Sequence, residues 1–245
     1  MIHPVSREIS TSRPHFVDNS HYASGGRTRA TSTRMRLPRV YPILDTNLLS
    51  SRGCEPGVAA TAWLDAGSRI LQLRHKGPWT RDTFEVAHRI AALCRDQDAV
   101  FVINDRADVA KLLAAGLHVG QDDLPPAAAR QLLGDAPILG YSTHNAHQFA
   151  AAAAEPADYL ALGPIFPTAS KLNPDPVTGL DALQRCRALT ARPLVAIGGI
   201  TRETAPGVFA AGADSVAVIG DLLPEPCTRA SLRRRMEEWQ QLAQS

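Results

Sequence analysis

From Arg39 onward the sequence alternates short aliphatic or β-branched runs with longer Ala- and Leu-rich segments, eight times over. A short run of this kind reads as a strand and the longer segment as the helix that carries the chain back, so the rhythm is a repeated βα unit. The strand candidates are Val40 to Leu44, Arg69 to Arg74, Val100 to Asn104, Leu117 to Val119, Ile138 to Tyr141, Tyr159 to Leu162, Leu194 to Ile197 and Ser215 to Ile219. Helix candidates lie near 57–66, 81–96, 107–114, 126–133, 146–154, 179–189, 203–211 and 227–243. Thr80 ahead of Arg81-Asp82-Thr83 has the chemistry of an N-cap, and the Ala-Gly pairs ending in Gly116 and Gly212 read as helix stops. Some 205 residues for eight units sits at the short end of the range for a (β/α)8 TIM barrel. A doubly wound open sheet uses the same local text. Eight units of nearly equal length leave no obvious edge strand, which favours the closed barrel. The expected fold is therefore α/β, a (β/α)8 TIM barrel forming a single domain over residues 39–245.

Residues 1–38 do not share this pattern. They hold six arginines against Glu8 and Asp18, a net of +4, which leaves the rest of the chain at −2. The stretch is rich in Ser, Thr, His and Gly and lacks both apolar periodicity and the continuous apolar core of a secretory signal, so it reads as a disordered basic extension. An Arg/Ser-rich head resembles an organelle transit peptide, but its two acids and the lack of an amphipathic pattern argue against that. Met35, just before Arg36-Leu37-Pro38, offers an internal start. The whole-chain charge of +2 makes no electrostatic case for nucleic-acid or membrane partners. No run approaches the ~18 consecutive apolar residues of a membrane span. The four cysteines, Cys54, Cys94, Cys186 and Cys227, form no C-x-x-C pair, and reduced thiols in a cytoplasmic protein are the expectation.

The second strand candidate shows where chemistry would gather. In Ile70-Leu-Gln-Leu-Arg-His-Lys76 the apolar Leu71 and Leu73 point to one face and Gln72, Arg74 and Lys76 to the other. Two cations and an amide at one strand end suit a phosphate or diphosphate. Lysine is rare here, with Lys76, Lys111 and Lys171 the only three among 26 basic residues, and Lys76 and Lys171 both fall on strand-end loops. Asn104-Asp105 follows the third strand and Gln121-Asp122-Asp123 the fourth; each acid could cap the next helix. Placed opposite a cationic strand, two aspartates beside a diphosphate would also hold Mg²⁺, which takes one or two carboxylates plus phosphate oxygens. Ser142 either meets substrate or caps the helix starting near Asn145, and His144 alone is weak evidence for a base. The long Pro-rich connection Gly163–Thr178 carries Thr168, Ser170 and Lys171, and loops of that size are usually functional. Glycines close the seventh and eighth strands, in Ala196-Ile-Gly-Gly-Ile200 and Val218-Ile-Gly-Asp221, where backbone N–H groups can approach an anion.

Six ordered motifs then carry a resemblance: Gln72-Leu-Arg-His-Lys76, Ile103-Asn-Asp-Arg106, His118-Val-Gly-Gln-Asp-Asp123, Gly140-Tyr-Ser-Thr-His144, Leu162-Gly-Pro-Ile-Phe-Pro-Thr168 with Lys171, and Ala196-Ile-Gly-Gly-Ile200. In this order and spacing, from about Tyr41 to Leu222, they resemble the thiamine phosphate synthase family. The resemblance implies a cytoplasmic transferase that joins hydroxymethylpyrimidine diphosphate to thiazole phosphate, releasing diphosphate. It implies Gln72, Arg74, Lys76, Asn104, Ser142 and Lys171 on the pyrimidine diphosphate, with Arg74, Ser142 and Lys171 closest to the chemistry. It implies Asp105 and Asp123 on Mg²⁺, and Thr168, Ser170, Gly199, Ile219 and Gly220 on the thiazole phosphate. The partners implied are two small phosphorylated substrates, with homo-oligomerisation left open. Gly220 stands where the family commonly carries Ser, Ser170 is conservative, and the basic head lies outside the family's pattern. A sister branch, the thiazole tautomerases, uses a His at the position of His144 and generally lacks the second metal aspartate. A non-catalytic phosphate-ligand sensor on the same barrel is a third reading, favoured by Gly220 and opposed by the complete set of cations and aspartates.

Overall fold

The strands are short and most of their residues are buried, as a parallel sheet covered by helices requires. The computed structural model describes residues 36–168 and 175–244. The reading of residues 1–38 as disordered therefore lies, apart from residues 36–38, outside the described residues, as do the alternative start at Met35, Ser170 and Lys171. The strands are β1 (Val40–Asp45), β2 (Ile70–Arg74), β3 (Val100–Asn104), β4 (Gly116–Val119), β5 (Leu139–Thr143), β6 (Tyr159–Leu162), β7 (Leu194–Ile197) and β8 (Ser215–Val218). Every neighbouring pair is parallel, and β8 pairs with β1 through Val40–Val216 and Tyr41–Ala217, so the sheet closes into an eight-stranded barrel. Around it run α1 (Thr46–Ser51), α2 (Pro56–Asp65), α3 (Arg81–Asp96), α4 (Ala107–Leu113), α5 (Pro126–Leu133), α6 (Ala146–Ala152), α7 (Gly179–Ala188), α8 (Ala205–Ala210) and α9 (Arg229–Gln244). Among the described residues no helix is long and apolar enough to cross a membrane.

The period-two pattern divides the core into two layers. Leu44, Leu71, Leu73 and Ile103 face outward and pack with Trp63 and Trp239 beneath the helices. Tyr41, Ile43, Ile70, Val102, Tyr159, Ala161, Val195 and Ala217 fill the barrel interior, with Leu37 packed against them. Gln72 faces inward beside them, so the alternation in the second strand sorts its side chains as the sequence predicts.

Three local readings need correction. Gly116 does not stop a helix: α4 ends at Leu113, the left-handed residue is Ala114 (φ 51°), and Gly116 begins β4. A Cβ there would lie 2.3 Å from Ile138 Cγ2, so glycine is required by close packing instead. Strand β5 runs to Thr143, two residues past the predicted end, because Thr143 donates its hydroxyl to Ala161 O (2.8 Å) and pairs with Leu162 instead of turning away. That extension puts Ser142 on a strand. Helix α1 was not expected, since six residues are too few for a periodic signal; it is nucleated by Asp45, whose carboxylate accepts from the Leu48 N–H (2.9 Å). Thr80 caps α3 as read, accepting from the Thr83 N–H.

Two matching clamps hold the N-terminal end of the barrel. Asp158 accepts from Leu139 N–H and Arg130 Nη2 (2.7 Å each), and Asp214 accepts from Leu194 N–H (2.8 Å) and Arg187 Nη1 (2.6 Å). Arg187 also reaches the carbonyls of Thr190 and Arg192, which makes it a hub for the turn between α7 and β7. Arg187→Ala strands those acceptors and is expected to cost about 2 kcal/mol of stability. Chemical denaturation checks this, and turnover per folded molecule should stay at the wild-type level because the clamp lies at the end opposite the strand C-termini.

Candidate active site

At the C-terminal ends of the strands the interior opens into a cavity of about 690 Å³. Gln72, Arg74, Lys76, Asn104, Asp105, Asp123, Ser142, Thr168, Gly199, Ile219 and Gly220 all line it. Every described residue assigned to substrate or metal from the sequence thus reaches one wall or another of the same space. Ser170 and Lys171 lie outside the described residues, on the loop whose base closes where Thr178 bonds Pro164 O.

On one arc of the rim, β1 to β5 supply charge. Arg74 donates to the buried Asp45, which fixes the guanidinium at the mouth while Asp45 also caps α1. Asp105 holds φ at 65°, a left-handed conformation that costs an L-residue about 1–2 kcal/mol and that aspartate tolerates better than most. Its carboxylate meets Lys76 Nζ at 2.5 Å. Asp123 sits in the turn after β4, accepting from the Gly120 N–H at 2.7 Å. Burial first, and the adjoining Asp105 carboxyl second, push the Asp123 acid above the usual carboxylate range. Two carboxylates pressed together in this way are a place where a divalent cation relieves repulsion. Among the described residues no group of three or more His, Cys, Asp and Glu is arranged for a metal. Two carboxylates with open positions for substrate oxygens and water are nevertheless the donor set Mg²⁺ uses, so the residues present fit it. Neither Asp105 nor Asp123 caps a helix: α4 is preceded by Arg106 without a side-chain cap, and α5 by Pro125. Next to them Asn104 is buried with its Nδ2 lacking a partner, a donor aimed at nothing the protein supplies.

The opposite arc is made of backbone. Gly198 (φ 99°) and Gly199 (φ 64°) follow β7, and a Cβ on Gly199 would fall 2.3 Å from Pro167 O. The two loops are laced together by Ile165 N–H to Ile197 O (2.9 Å) and Phe166 N–H to Gly198 O (3.0 Å). Gly220 opens a 3₁₀ turn, Gly220–Leu222, and has open space where a Cβ would be. That turn is held by Asp221, which accepts from Trp239 Nε1 at 2.8 Å and from Arg202 Nε at 3.1 Å.

The floor between the arcs was not foreseen. Tyr41, Tyr159 and His118 are buried there and hydrogen-bonded to one another and to Gln72 and Ser142. Ser142 Oγ lies 2.8 Å from His118 Nε2, and the cap of α6 is Asn145, accepting from Gln148 N–H. Period-two counting along β4 could have found His118, because Leu117 and Val119 face outward and the residue between must face in. His144 is tied down, its Nδ1 2.9 Å from Gly163 O and 3.4 Å from Asp175.

Burial pushes His118 down to about 4, opposed by Asp123 and reinforced by His144 and Lys76. The sign follows from linkage. As pH falls below about 6.5 the unfolded chain's imidazole takes up a proton while the folded one stays neutral until about pH 4. Stability is therefore complete above pH 6.5 and falls through that window, by about 3 kcal/mol for this group. Denaturation at pH 7 and pH 4 should show a drop larger in the wild type than in His118→Gln; equal drops would refute it.

The family model described as thiamine monophosphate synthase matches residues 40–222. A thiamine-phosphate synthase from Koribacter versatilis (strain Ellin345) is 47% identical over 205 residues, covering 80% of this chain and 94% of the relative. One from Laribacter hongkongensis (strain HLHK9) is 42% identical over 193 residues, covering 78% of this chain and 88% of the relative. Among solved structures, a thiamine phosphate pyrophosphorylase from Pyrococcus furiosus superposes with a TM-score of 0.73 at 29% identity, covering 84% of this chain and 95% of that one.

Proposed function

The chain belongs to the thiamine monophosphate synthase family and joins a pyrimidine and a thiazole moiety into thiamine phosphate; we propose that it does so by dissociative loss of diphosphate at the charged arc of its cavity. The substrates are 4-amino-2-methyl-5-hydroxymethylpyrimidine diphosphate and 4-methyl-5-(2-hydroxyethyl)thiazole phosphate. The observation that carries this reading is the division of the rim: cations and paired carboxylates on β2 to β4, glycine backbone on β7 and β8.

Arg74, oriented by Asp45, and Lys76 receive the diphosphate, with Lys171 assigned to it from the sequence. Asn104 offers its unpartnered Nδ2 to the same substrate, and Gln72 and Ser142 flank the pyrimidine from β2 and β5. Asp105 and Asp123 would hold Mg²⁺, which when bound supplies positive charge to the leaving diphosphate. The bond between the methylene carbon and the diphosphate oxygen breaks with its electron pair leaving on oxygen, while the electron-rich aminopyrimidine stabilises the cation left behind. The preorganised guanidinium and ammonium neutralise charge as it grows. Gly199, Ile219 and Gly220, with Thr168 and Ser170, seat the thiazole phosphate so that its ring nitrogen attacks that carbon. The nitrogen lone pair forms the new bond, so no protein base is needed.

The protein takes two small phosphorylated substrates, no nucleic acid and no membrane, and works in the cytoplasm. Incubation with both substrates and Mg²⁺, with diphosphate and thiamine phosphate followed together, tests the reading. Equimolar release requiring both substrates is expected. Isomerisation of a thiazole phosphate, or binding without turnover, would replace it with the tautomerase or the sensor.

A further inference from the structure

Five polar side chains form one hydrogen-bonded file across the barrel interior. Gln72 Nε2 donates to Tyr41 Oη (3.1 Å), Tyr41 Oη and Tyr159 Oη are 2.9 Å apart, Tyr159 Oη is 2.9 Å from His118 Nδ1, and His118 Nε2 is 2.8 Å from Ser142 Oγ. The file is enclosed: Tyr41 and Tyr159 are at most 1% exposed and His118 9%. His118 and Tyr159 stack at 5.6 Å and 20°. Gly140 makes room for the pair, since a Cβ there would lie 2.0 Å from the Tyr159 ring and 2.5 Å from His118 Nδ1.

Counting protons gives the file a direction. Gln72 fills one acceptor position on Tyr41, so the Tyr41 proton has Tyr159 as its partner. Tyr159, now an acceptor from Tyr41, gives its own proton to His118 Nδ1. The imidazole must then carry its hydrogen on Nε2 and donate it to Ser142 Oγ. Reversed, Tyr41 would receive two donors and bury its own proton without an acceptor, a cost that protein interiors avoid. Ser142 stands at the open end, with its acceptor role filled from within and its own proton free to turn to the cavity.

We propose that Tyr41, Tyr159 and His118 are positioning residues that lock His118 as the Nε2–H tautomer and thereby present the Ser142 hydroxyl to the pyrimidine diphosphate as a hydrogen-bond donor. The structural half stands on the geometry alone, and the kinetic half rests on the synthase reading. Each residue acts through its neighbour, so removing the Tyr159 hydroxyl should weaken the step at Ser142 without touching the thiazole phosphate arc.

The test joins a spectrum to kinetics. Long-range ¹⁵N–¹H spectra of the histidine-labelled full chain, with His118 assigned from the loss of its signals in His118→Gln, should show the Nε2–H tautomer in the wild type. In Tyr159→Phe the tautomer should become mixed, kcat should fall about ten-fold, the worth of one hydrogen bond to the reacting system, and KM for thiazole phosphate should hold. An Nδ1–H tautomer in the wild type overturns the proposal even if the variant fails to fold. So does a Tyr159→Phe enzyme with wild-type kcat. Absence of diphosphate release by the wild type would overturn the synthase reading instead, and would leave the tautomer assignment standing.

Discussion

Asp123→Asn is expected to lower kcat/KM for the pyrimidine diphosphate by about 10²–10³-fold, the scale on which a preorganised electrostatic group acts on a developing charge. The change is nearly isosteric, and the amide oxygen can keep the hydrogen bond from the Gly120 N–H. What goes is one of two negative charges that burial and proximity to Asp105 hold under strain. The same substitution should therefore raise, or at least preserve, thermal stability measured without divalent cation, while the Mg²⁺ concentration needed for half-maximal rate climbs. Steady-state kinetics against Mg²⁺ together with thermal unfolding separates the two effects. Unchanged turnover would remove Asp123 from the metal site.

The second large effect belongs to the other arc. Gly199→Ala combines a φ of 64° with a Cβ 2.3 Å from Pro167 O and 2.9 Å from Phe166 Cβ. The backbone cost alone is about 1–2 kcal/mol, and the collision forces the β6–α7 and β7–α8 loops apart. KM for thiazole phosphate should rise at least about ten-fold, with KM for the pyrimidine diphosphate much less affected. Gly220→Ser provides the contrast, because nothing lies within 4 Å of the position its Cβ would take. That variant should fold normally and bind thiazole phosphate as well as or better than the wild type. Equal penalties at both glycines would contradict the assignment of Gly199 as the closely packed one.

Much of this was legible in the sequence, for physical reasons that differ from place to place. Strands β3, β6 and β7 are bounded as read because buried parallel strands are short aliphatic runs ended by polar or glycine residues. Gln72, Arg74 and Lys76 were legible through alternation, and Asp105 and Asp123 through their position just past strand ends. Gly116 was misread because an Ala-Gly pair after a helix looks the same whether the glycine is needed for its φ or for lack of a side chain; Ala114 took the left-handed position instead. The length of β5 was missed because Ser142-Thr143 resemble turn residues until the carbonyl of Ala161 across the ladder is known. Asp45 and the Tyr41–Tyr159 pair were invisible for a related reason: their partners are 29 and 118 residues away, brought together by the pairing of β1 with β2 in the first case and by closure of the barrel in the second.

The placement of charge also explains why strained backbone is tolerated at this rim. The φ of Asp105 aims its carboxylate at Lys76 and toward Asp123, and its backbone N–H is anchored to His118 O at 2.8 Å. Strain of this kind persists where surrounding structure over-determines it, and here β3 and β4 do so directly beneath the site.

The most direct measurement is a crystal soaked with Mn²⁺ and inorganic diphosphate, read by anomalous scattering. The expected result is a single strong peak between the carboxylates of Asp105 and Asp123, with diphosphate oxygens on the metal and on Arg74 and Lys76. Diphosphate seated against Gly199 and Gly220, with no peak at the aspartate pair, would contradict the proposed division of labour around the rim.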